Sequence, residues 1–270
     1  MQGAYSRWAA MVAIIILTSL PAMAEDDADE LARKVSNPAS FMISVPVHSD
    51  FDFGRWEGGD LFSGSLDIEP VIPFSLTADW NVISHTDFPL LYSDPVGPGG
   101  REFGLGDISQ NLSITPSTHG PLIWAFGPQF SLPTATRDEF GSGKLSIGPS
   151  GLLLLQTKSM SIGASASHMW SVLGDGSRPD VSQSEIQPFI AWHIGEGRTI
   201  SANLDYSYDW VADDWSLPAS LSFSKIVKLG EQTMSLSIGG KYWIDAPKNG
   251  PEWGIKAGVT FLFPQAAPPR

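Results

Sequence analysis

Histidine and serine are the residue types from which a catalytic or metal site in this chain would be built. The five histidines are His48, His85, His119, His168 and His193, and their separations match no metal-ligand motif. His85 and His193 share the polar side of alternating segments with many serines, a combination that could supply the base and nucleophile of a hydrolase. No motif singles out a nucleophile, and a serine-rich wall brings some hydroxyl near some imidazole by chance. The sequence therefore predicts no catalytic residue and no metal site.

Two short runs resemble ligand-binding loops but lack the features that such loops need. The run GLGD (104–107) is followed by Ile108, which continues an alternating segment, whereas a phosphate-binding loop opens a helix. The run DDADE (26–30) lacks the ordered ligands of a calcium-binding EF-hand loop. The sequence therefore predicts no cofactor, and DDADE is interpreted as part of a solvated tether.

Acidic side chains are frequent at the polar positions of the same alternating segments. They are Asp50, Asp52, Asp67, Glu69, Asp87, Asp107, Asp205 and Asp209, and only Lys241 and Lys256 oppose them. Around a pore, this excess of negative charge would favour cations through the local potential. The alternative, which the sequence favours, is that the carboxylates solvate the wall or pair with the two lysines and with backbone groups.

The segment SANLDYSYDW (201–210) shows the local structure that positions these groups. Its even-numbered residues, such as Leu204 and Tyr206, are apolar or aromatic, and its odd-numbered residues, such as Asp205, are polar. Strict alternation of this kind predicts a β-strand with one apolar and one polar face.

Twelve spans of the chain share this alternation. They are 41–53, 62–72, 80–90, 106–114, 122–132, 145–155, 160–172, 186–194, 200–210, 215–223, 234–244 and 253–263. Their apolar-register positions contain no Asp, Glu, Lys or Arg. Spans of about this length match the 9–11 residues with which a tilted strand crosses a bilayer. The connections alternate between longer and mostly shorter ones, as in outer-membrane barrels.

Tryptophan placement and the make-up of the polar face indicate which face meets lipid. Seven tryptophans lie on the apolar register near span ends, where an interfacial girdle would place them: Trp80, Trp124, Trp170, Trp192, Trp210, Trp215 and Trp253. Serine and glycine dominate the polar face, whereas a soluble surface usually carries many Lys and Glu. The apolar face is therefore predicted to point outward into lipid and the polar face to surround a lumen.

This orientation predicts a set of candidate lumen-lining residues, chosen as the polar or charged side chains on the inward register. They are Asp67, Glu69, Asn81, His85, Asp87, Asp107, Asn111, Gln129, Gln187, His193, Asn203, Asp205, Lys241 and Lys256.

The composition excludes several classes of protein. There is no cysteine, so neither disulfides nor a thiolate site is available. Charged residues make up only 17% of the chain, and acidic residues outnumber basic ones by 29 to 16. Nucleic acid is therefore not an expected partner, because binding it needs concentrated Lys and Arg.

The two ends of the chain are expected to lie outside the barrel. Arg7, the apolar run 8–20 and the small residues before Glu25 predict a signal peptide over 1–24, cleaved near Ala24. Residues 25–39 are the only predicted helical segment and would lie in the periplasm; a loose tail is favoured, and a plug entering the barrel is the alternative. The barrel would occupy 40–264 and a short tail 265–270.

The motifs of the chain resemble those of a bacterial outer-membrane barrel family named for the meta-pathway of phenol degradation. The matching stretches are FDFG (51–54), EPVIPFSL (69–76), DWNVIS (79–84), FGLGDI (103–108), GPQFSLPTAT (127–136), GSGK (141–144), QPF (187–189), YDW (208–210), KYW (241–243), GPEWG (250–254) and FLFP (261–264). They follow one another in order over nearly all of 37–264. The resemblance implies an outer-membrane channel for aromatic or other small hydrophobic compounds.

The sequence thus predicts an all-β protein, a single transmembrane up-and-down antiparallel β-barrel of about 12 strands with both termini in the periplasm. The expected location is the outer membrane of a Gram-negative bacterium. Its expected partners are the lipid, the outer-membrane assembly machinery and an unidentified small solute. The expected function is passive passage of small molecules in the manner of a porin. A non-conducting structural or adhesion barrel, or an outer-membrane hydrolase of lipid or peptide, is the alternative.

Overall fold

A computed structural model of the chain describes residues 25–56, 59–94, 101–118, 120–247 and 250–263. The predicted signal peptide, the cleavage position near Ala24, His119 and the predicted tail 265–270 lie outside these residues. None of the helices in the described ranges is long and apolar enough to cross a membrane.

Among the described residues, one α-helix precedes twelve strands. They are α1 (Glu25–Val35), β1 (Ile43–Trp56), β2 (Gly59–Ile68 and Val71–Ser75), β3 (Trp80–Asp94), β4 (Glu102–Leu105 and Ile108–Pro116), β5 (Leu122–Leu132), β6 (Lys144–Gln156), β7 (Met160–Gly174), β8 (Ser182–His193), β9 (Arg198–Leu204 and Tyr206–Asp209), β10 (Asp214–Leu229), β11 (Gln232–Asp245) and β12 (Pro251–Phe263). A 3-10 turn, Asp138–Phe140, lies between β5 and β6.

The strands form a closed barrel in which each strand pairs antiparallel with its neighbours along the chain. The first and last strands complete the ring, with Ile43 opposite Phe263 and Phe53 opposite Trp253. Closure leaves no edge strand with unpaired backbone N–H and C=O groups. The predicted fold class, including the count of twelve strands, is confirmed.

The two ends of the barrel differ in the length of their connections. The short-turn end carries the links 76–79, 117–121, 157–159, 194–197 and 230–231, together with the start of β1 and the end of β12. The long-loop end carries the remaining links, of which 133–143 is the longest. Both ends of the barrel sequence therefore meet at the short-turn end, as an even strand count requires.

Three strands are interrupted, and each interruption contains an acidic residue. Glu69 lies between the halves of β2, where its N–H donates to the carbonyl of Pro46 at 2.9 Å. Asp107 interrupts β4, and Asp205 interrupts β9. These residues leave the regular strand ladder, which places three of the candidate carboxylates at irregular points of the wall.

Apolar side chains cover the outside of the barrel. Leu122, Leu153 and Leu221 are each more than half exposed, and mid-strand Leu204 is 38% exposed. The seven tryptophans named above form two groups by strand position. Trp80, Trp124 and Trp192 lie near the short-turn end, and Trp170, Trp210, Trp215 and Trp253 lie near the long-loop end. The rings of Trp80 and Trp124 are 5.7 Å apart, edge to face.

Most strands run further than the sequence pattern predicts. For example, β10 ends at Leu229 rather than near residue 223, and β3 continues to Asp94 rather than 90. The additional residues of β10 lie at the short-turn end and those of β3 at the long-loop end, and in both the backbone ladder continues.

We expect Leu204→Arg to lower the free energy of unfolding by about 2–4 kcal/mol, because the new charge would lie on the outward face near mid-strand. Ser207→Arg, on the opposite face of the same strand, is the matched control and should cost far less. Denaturant titration of protein folded into lipid vesicles measures both. Equal destabilisation by the two changes would contradict the outward assignment of the apolar face.

Candidate functional site

A cavity of about 920 Å³ lies inside the barrel. Fifteen serines contribute to its wall, together with six Asn, Gln or Thr side chains. Residues 34–38, 40 and 42 also border the cavity, so the segment before β1 reaches into the barrel. The cavity is therefore the place where polar side chains of many strands come together.

Helix α1 packs against the short-turn end through a narrow apolar stripe. Ala28, Leu31 and Ala32 are buried, and they form one cluster with three residues of the barrel region. Those three are Met42, Ile226 and Leu262. The stripe repeats every three to four residues, which puts these side chains on one face of the helix.

Polar contacts fix the same helix to the wall. The Gly197 N–H in the β8–β9 turn donates to the Asp29 carboxylate at 2.7 Å. The Gln156 amide donates to the Arg33 carbonyl at 2.9 Å, a carbonyl in the last turn of the helix. Both contacts join the helix to barrel residues far away in the sequence.

Behind the helix, Ala39 enters a second apolar cluster inside the barrel with Ile123, Ala125 and Leu154. Leu152 and Phe189 pack against this cluster. The favoured expectation of a loose tail over 25–39 is therefore wrong, and the plug is the arrangement observed. The physical reason is that several inward positions of β5 and β6 are apolar, and the segment before β1 covers them.

On the wall formed by β1–β3, Glu69 lies between two histidines. Its carboxylate is 3.2 Å from His85 Nε2 and 3.5 Å from His48 Nδ1. Asp87 lines the cavity close by, and its buried Oδ1 has no hydrogen-bond partner within the described residues. The two imidazoles on this wall are thus directed at one carboxylate, and the other carboxylate is left to the cavity.

A second acidic group lies on β8 and β9. The Gln187 amide donates to the Asp205 carboxylate, and the Gln183 amide donates to Glu185 at 3.2 Å. Asn203 completes this polar wall. Since β2 and β8 are six strands apart in a ring of twelve, the two acidic groups lie on opposite sides of the lumen.

Eight of the fourteen predicted residues border the cavity. They are Glu69, His85, Asp87, Asn111, Gln129, Gln187, Asn203 and Asp205. The structure brings these together around one space, although they come from six different strands.

Two of the remaining candidates belong to a buried ion cluster. Lys241 Nζ lies 2.7 Å from Asp50 and 3.0 Å from Asp52, and its side chain is only 9% exposed. Lys256 is 3.8 Å from Asp50. The lysine ammonium also lies 4.7 Å from the centre of the Trp243 ring. The two lysines offset the charge of the two carboxylates, and none of the four residues borders the cavity.

The other four candidates serve local structure. Asp67 accepts from the Ser65 hydroxyl at 2.6 Å, and Asn81 is nearly buried beside Ser117. Asp107 binds the loop 133–143, accepting from the Ala135 N–H at 3.1 Å and from the Ser142 N–H at 2.7 Å. The fourth, His193, lies at the short-turn end.

Two serine–histidine pairs occur within the described residues, and neither has the third group that a serine hydrolase uses. Ser161 is 3.0 Å from His193, whose second nitrogen faces Thr199. His168 lies 2.7 Å from Ser184, and its second nitrogen is 3.5 Å from Ser182. In a catalytic triad the second nitrogen is oriented by a carboxylate. His85 does contact a carboxylate, that of Glu69. However, His85 lies on β3, whereas both pairs lie on β7 and β8, on another side of the barrel.

Sequence reasoning did not identify Glu185 as a cavity residue, and it favoured a loose tail over the docking of the helix. The even-numbered register of the span 160–172 agrees with the outward position of His168, whose ring lies 4.1 Å from that of Trp170. The run GLLLLQ (151–156) has apolar residues on both faces of the strand. This run is the sequence signal that could have predicted an apolar surface inside the barrel.

Comparison of the fold with solved structures gives several barrels. An outer-membrane channel from Pseudomonas putida F1 superposes with a TM-score of 0.64 at 11% identity, over 84% of this chain and 99% of that one. The NanC porin gives a TM-score of 0.52 at 12% identity, over 81% of this chain and 98% of that one. At such identities the likeness establishes the fold.

No family model and no curated protein matches the sequence. Within the described residues, no group of three or more His, Cys, Asp or Glu side chains is arranged to hold a metal ion.

Removal of the Lys241 charge should destabilise the barrel, because two carboxylates would lose their shared cation. We expect Lys241→Met to lower the free energy of unfolding by about 3 kcal/mol, the cost of breaking a buried ion pair. Lys256→Met is the matched control, since that lysine is more exposed and farther from Asp50. Denaturant unfolding compares them, and equal stability of the two variants would show that the cluster is not structural.

Leu31→Asp should release helix α1 from the barrel, since Leu31 is 7% exposed in the apolar stripe. The exposed backbone after Arg33 and Lys34 should then be cleaved faster by trypsin in the folded protein. Asp27→Ala, at an exposed position of the same helix, should leave the cleavage rate unchanged. Unchanged cleavage of Leu31→Asp would mean that the stripe does not hold the helix.

Proposed function

We propose that the protein is an outer-membrane channel of a Gram-negative bacterium through which small molecules diffuse passively. The observation that carries this proposal is a cavity inside a closed barrel whose outside is apolar; fifteen serines and four carboxylates border this cavity, together with apolar side chains. A cavity of this kind gives a hydrophilic route through a hydrocarbon layer, in which polar groups exposed to lipid would be costly.

The structural neighbours support this proposal. The two solved structures named above are described as an outer-membrane channel and as a porin. The sequence motifs add a resemblance to the phenol meta-pathway family, which implies aromatic or hydrophobic solutes. We include that family membership in the proposal.

Each segment of the chain would have a defined location relative to the membrane. Residues 1–24 would be a signal peptide cleaved near Ala24, the short-turn end would face the periplasm, and 265–270 would be a short periplasmic tail. The barrel would be inserted by the outer-membrane assembly machinery. The two groups of tryptophans would form girdles at the two membrane interfaces, as indoles do in other barrels.

The segment before β1 would control passage. Residues 34–38, 40 and 42 border the cavity from the short-turn side, and α1 is held to the wall by the apolar stripe and by the Asp29 contact. Solute leaving the cavity on that side would have to displace this segment. The channel would therefore conduct weakly at rest and more freely when the helix is released.

A non-conducting structural barrel and a hydrolase are the competing functions. A structural barrel needs no wide polar cavity, and the two serine–histidine pairs lack a carboxylate on the second histidine nitrogen. Neither alternative is favoured by a specific feature of the described residues.

Conductance of purified protein in planar bilayers tests the proposal. We expect discrete channel openings for the unmodified chain and a larger open probability for Leu31→Asp, because that change loosens the helix. Asp27→Ala should behave like the unmodified chain. Absence of openings in all three proteins, when they are shown to be folded and inserted, would contradict a channel function.

A further inference from the structure

His193 lies at the short-turn end of the barrel, where β8 ends beside helix α1. Its two ring nitrogens have different partners: Nε2 is 3.0 Å from the Ser161 hydroxyl, and Nδ1 is 3.2 Å from the Thr199 hydroxyl. Both hydroxyl-bearing residues are buried. Since they are shielded from water, their hydrogen bonds must be formed within the protein.

A chain of hydrogen bonds connects this histidine to the helix. The Gln156 side-chain amide donates one N–H to the Arg33 carbonyl and the other to the Ser161 hydroxyl, each at 2.9 Å. Since Ser161 accepts from this amide, its own hydroxyl proton is left to donate to His193 Nε2. The Nδ1–H of the ring then donates to Thr199. This arrangement requires the neutral imidazole, because only the neutral ring has an acceptor nitrogen.

Protonation of the ring removes this acceptor. Both ring nitrogens then donate, so the Ser161 oxygen would accept from His193 and its own proton would point toward the Gln156 amide. Two donors would face one another there, and one hydrogen bond would be lost. Rotation of the Gln156 amide relieves the conflict but also breaks its contact with the Arg33 carbonyl. The protonated ring therefore favours a barrel from which the helix is released.

The charged groups of helix α1 act on the imidazole in opposite senses. The positive charge of Arg33 opposes protonation of His193, and the negative charge of Asp29 favours it. The Asp29 carboxylate is already engaged by the Gly197 N–H at 2.7 Å. The two charges oppose each other, so the hydrogen bonds decide which form of the ring the docked helix needs.

Two turns also adjoin the histidine. The His193 N–H donates to the Ser159 carbonyl at 2.9 Å, in the turn that carries the exposed Lys158. The turn 194–197 carries Glu196, which pairs with Arg198 at 3.2 Å. The acid of this second turn is thus already paired with a base.

We propose that His193 is a pH-dependent latch for helix α1: its neutral form holds the helix on the barrel, and its protonation releases the helix, so that the channel opens in mildly acidic medium. This inference rests on the proposed channel function and assigns the regulation of its N-terminal segment. The docked state loses stability as the pH falls through the range in which a histidine gains its proton, at about pH 6.5. Above this range the ring is neutral and the helix stays docked.

The absence of cysteine from the chain allows a direct test with single introduced thiols. Ala32→Cys places a thiol in the buried stripe of the docked helix, and Asp27→Cys places one on its exposed face. Both proteins, inserted in lipid vesicles, are treated with methyl methanethiosulfonate, which is small and uncharged. The rate for Ala32→Cys divided by the rate for Asp27→Cys at the same pH measures release of the helix and corrects for ionisation of the thiol.

We expect this rate ratio to rise about fivefold between about pH 7.5 and about pH 5.5, the effect of one lost hydrogen bond. His193→Gln, which cannot be protonated, should abolish the rise. Gln156→Leu should raise the ratio at both pH values and also abolish the rise, because the Arg33 carbonyl loses its partner. His168→Gln is the matched control, since that histidine lies on the outward face beside Trp170, and it should leave the rise intact.

The latch is refuted by a rate ratio that does not change with pH, by an unchanged rise in the His193→Gln protein, or by loss of the rise in the His168→Gln protein. The outcome is separate from that of the conductance experiment, because thiol modification requires release of the helix but no current. A helix released by acid in a protein without openings would refute the channel alone. A conducting protein whose rate ratio is independent of pH would refute the latch alone.

Discussion

Closure of the sheet is the constraint on which the rest of the structure depends. In hydrocarbon every backbone N–H and C=O needs a partner within the protein, and a ring of antiparallel strands supplies one for each. Pairing of β1 with β12 completes this ring. Once the ring is closed, each strand has one face outside and one inside, and the period of two decides which side chains meet which environment.

Inside the ring, many polar side chains of the wall are satisfied by one another. These contacts are formed between neighbouring strands and loops of the wall. Lys241 holds two carboxylates, two histidines face Glu69, and Asp107 binds the loop 133–143. At the short-turn end the wall turns apolar, and the segment before β1 covers that part. What remains between the helix and the long-loop end is the cavity.

Strand number, strand order and facing could be predicted from the sequence because alternation is a local property that each span shows by itself. Strand ends could not, since the backbone ladder of β10 continues to Leu229 after its pattern is lost. Contacts between residues far apart in the sequence could not be predicted either. Nothing in the spacing of Asp50 and Lys241 shows that they meet across β12, which lies between their strands, or that Glu185 and Asp87 face one cavity.

The central claim is that the apolar face of each strand contacts lipid and the polar face surrounds the lumen. Single nitroxide labels placed at successive positions from 200 to 209 in vesicle-inserted protein test it most directly, through their collision rates with oxygen and with a polar nickel complex. Even positions should show high oxygen and low nickel accessibility, and odd positions the lower oxygen value. The opposite phase, or no alternation along the strand, would contradict the account.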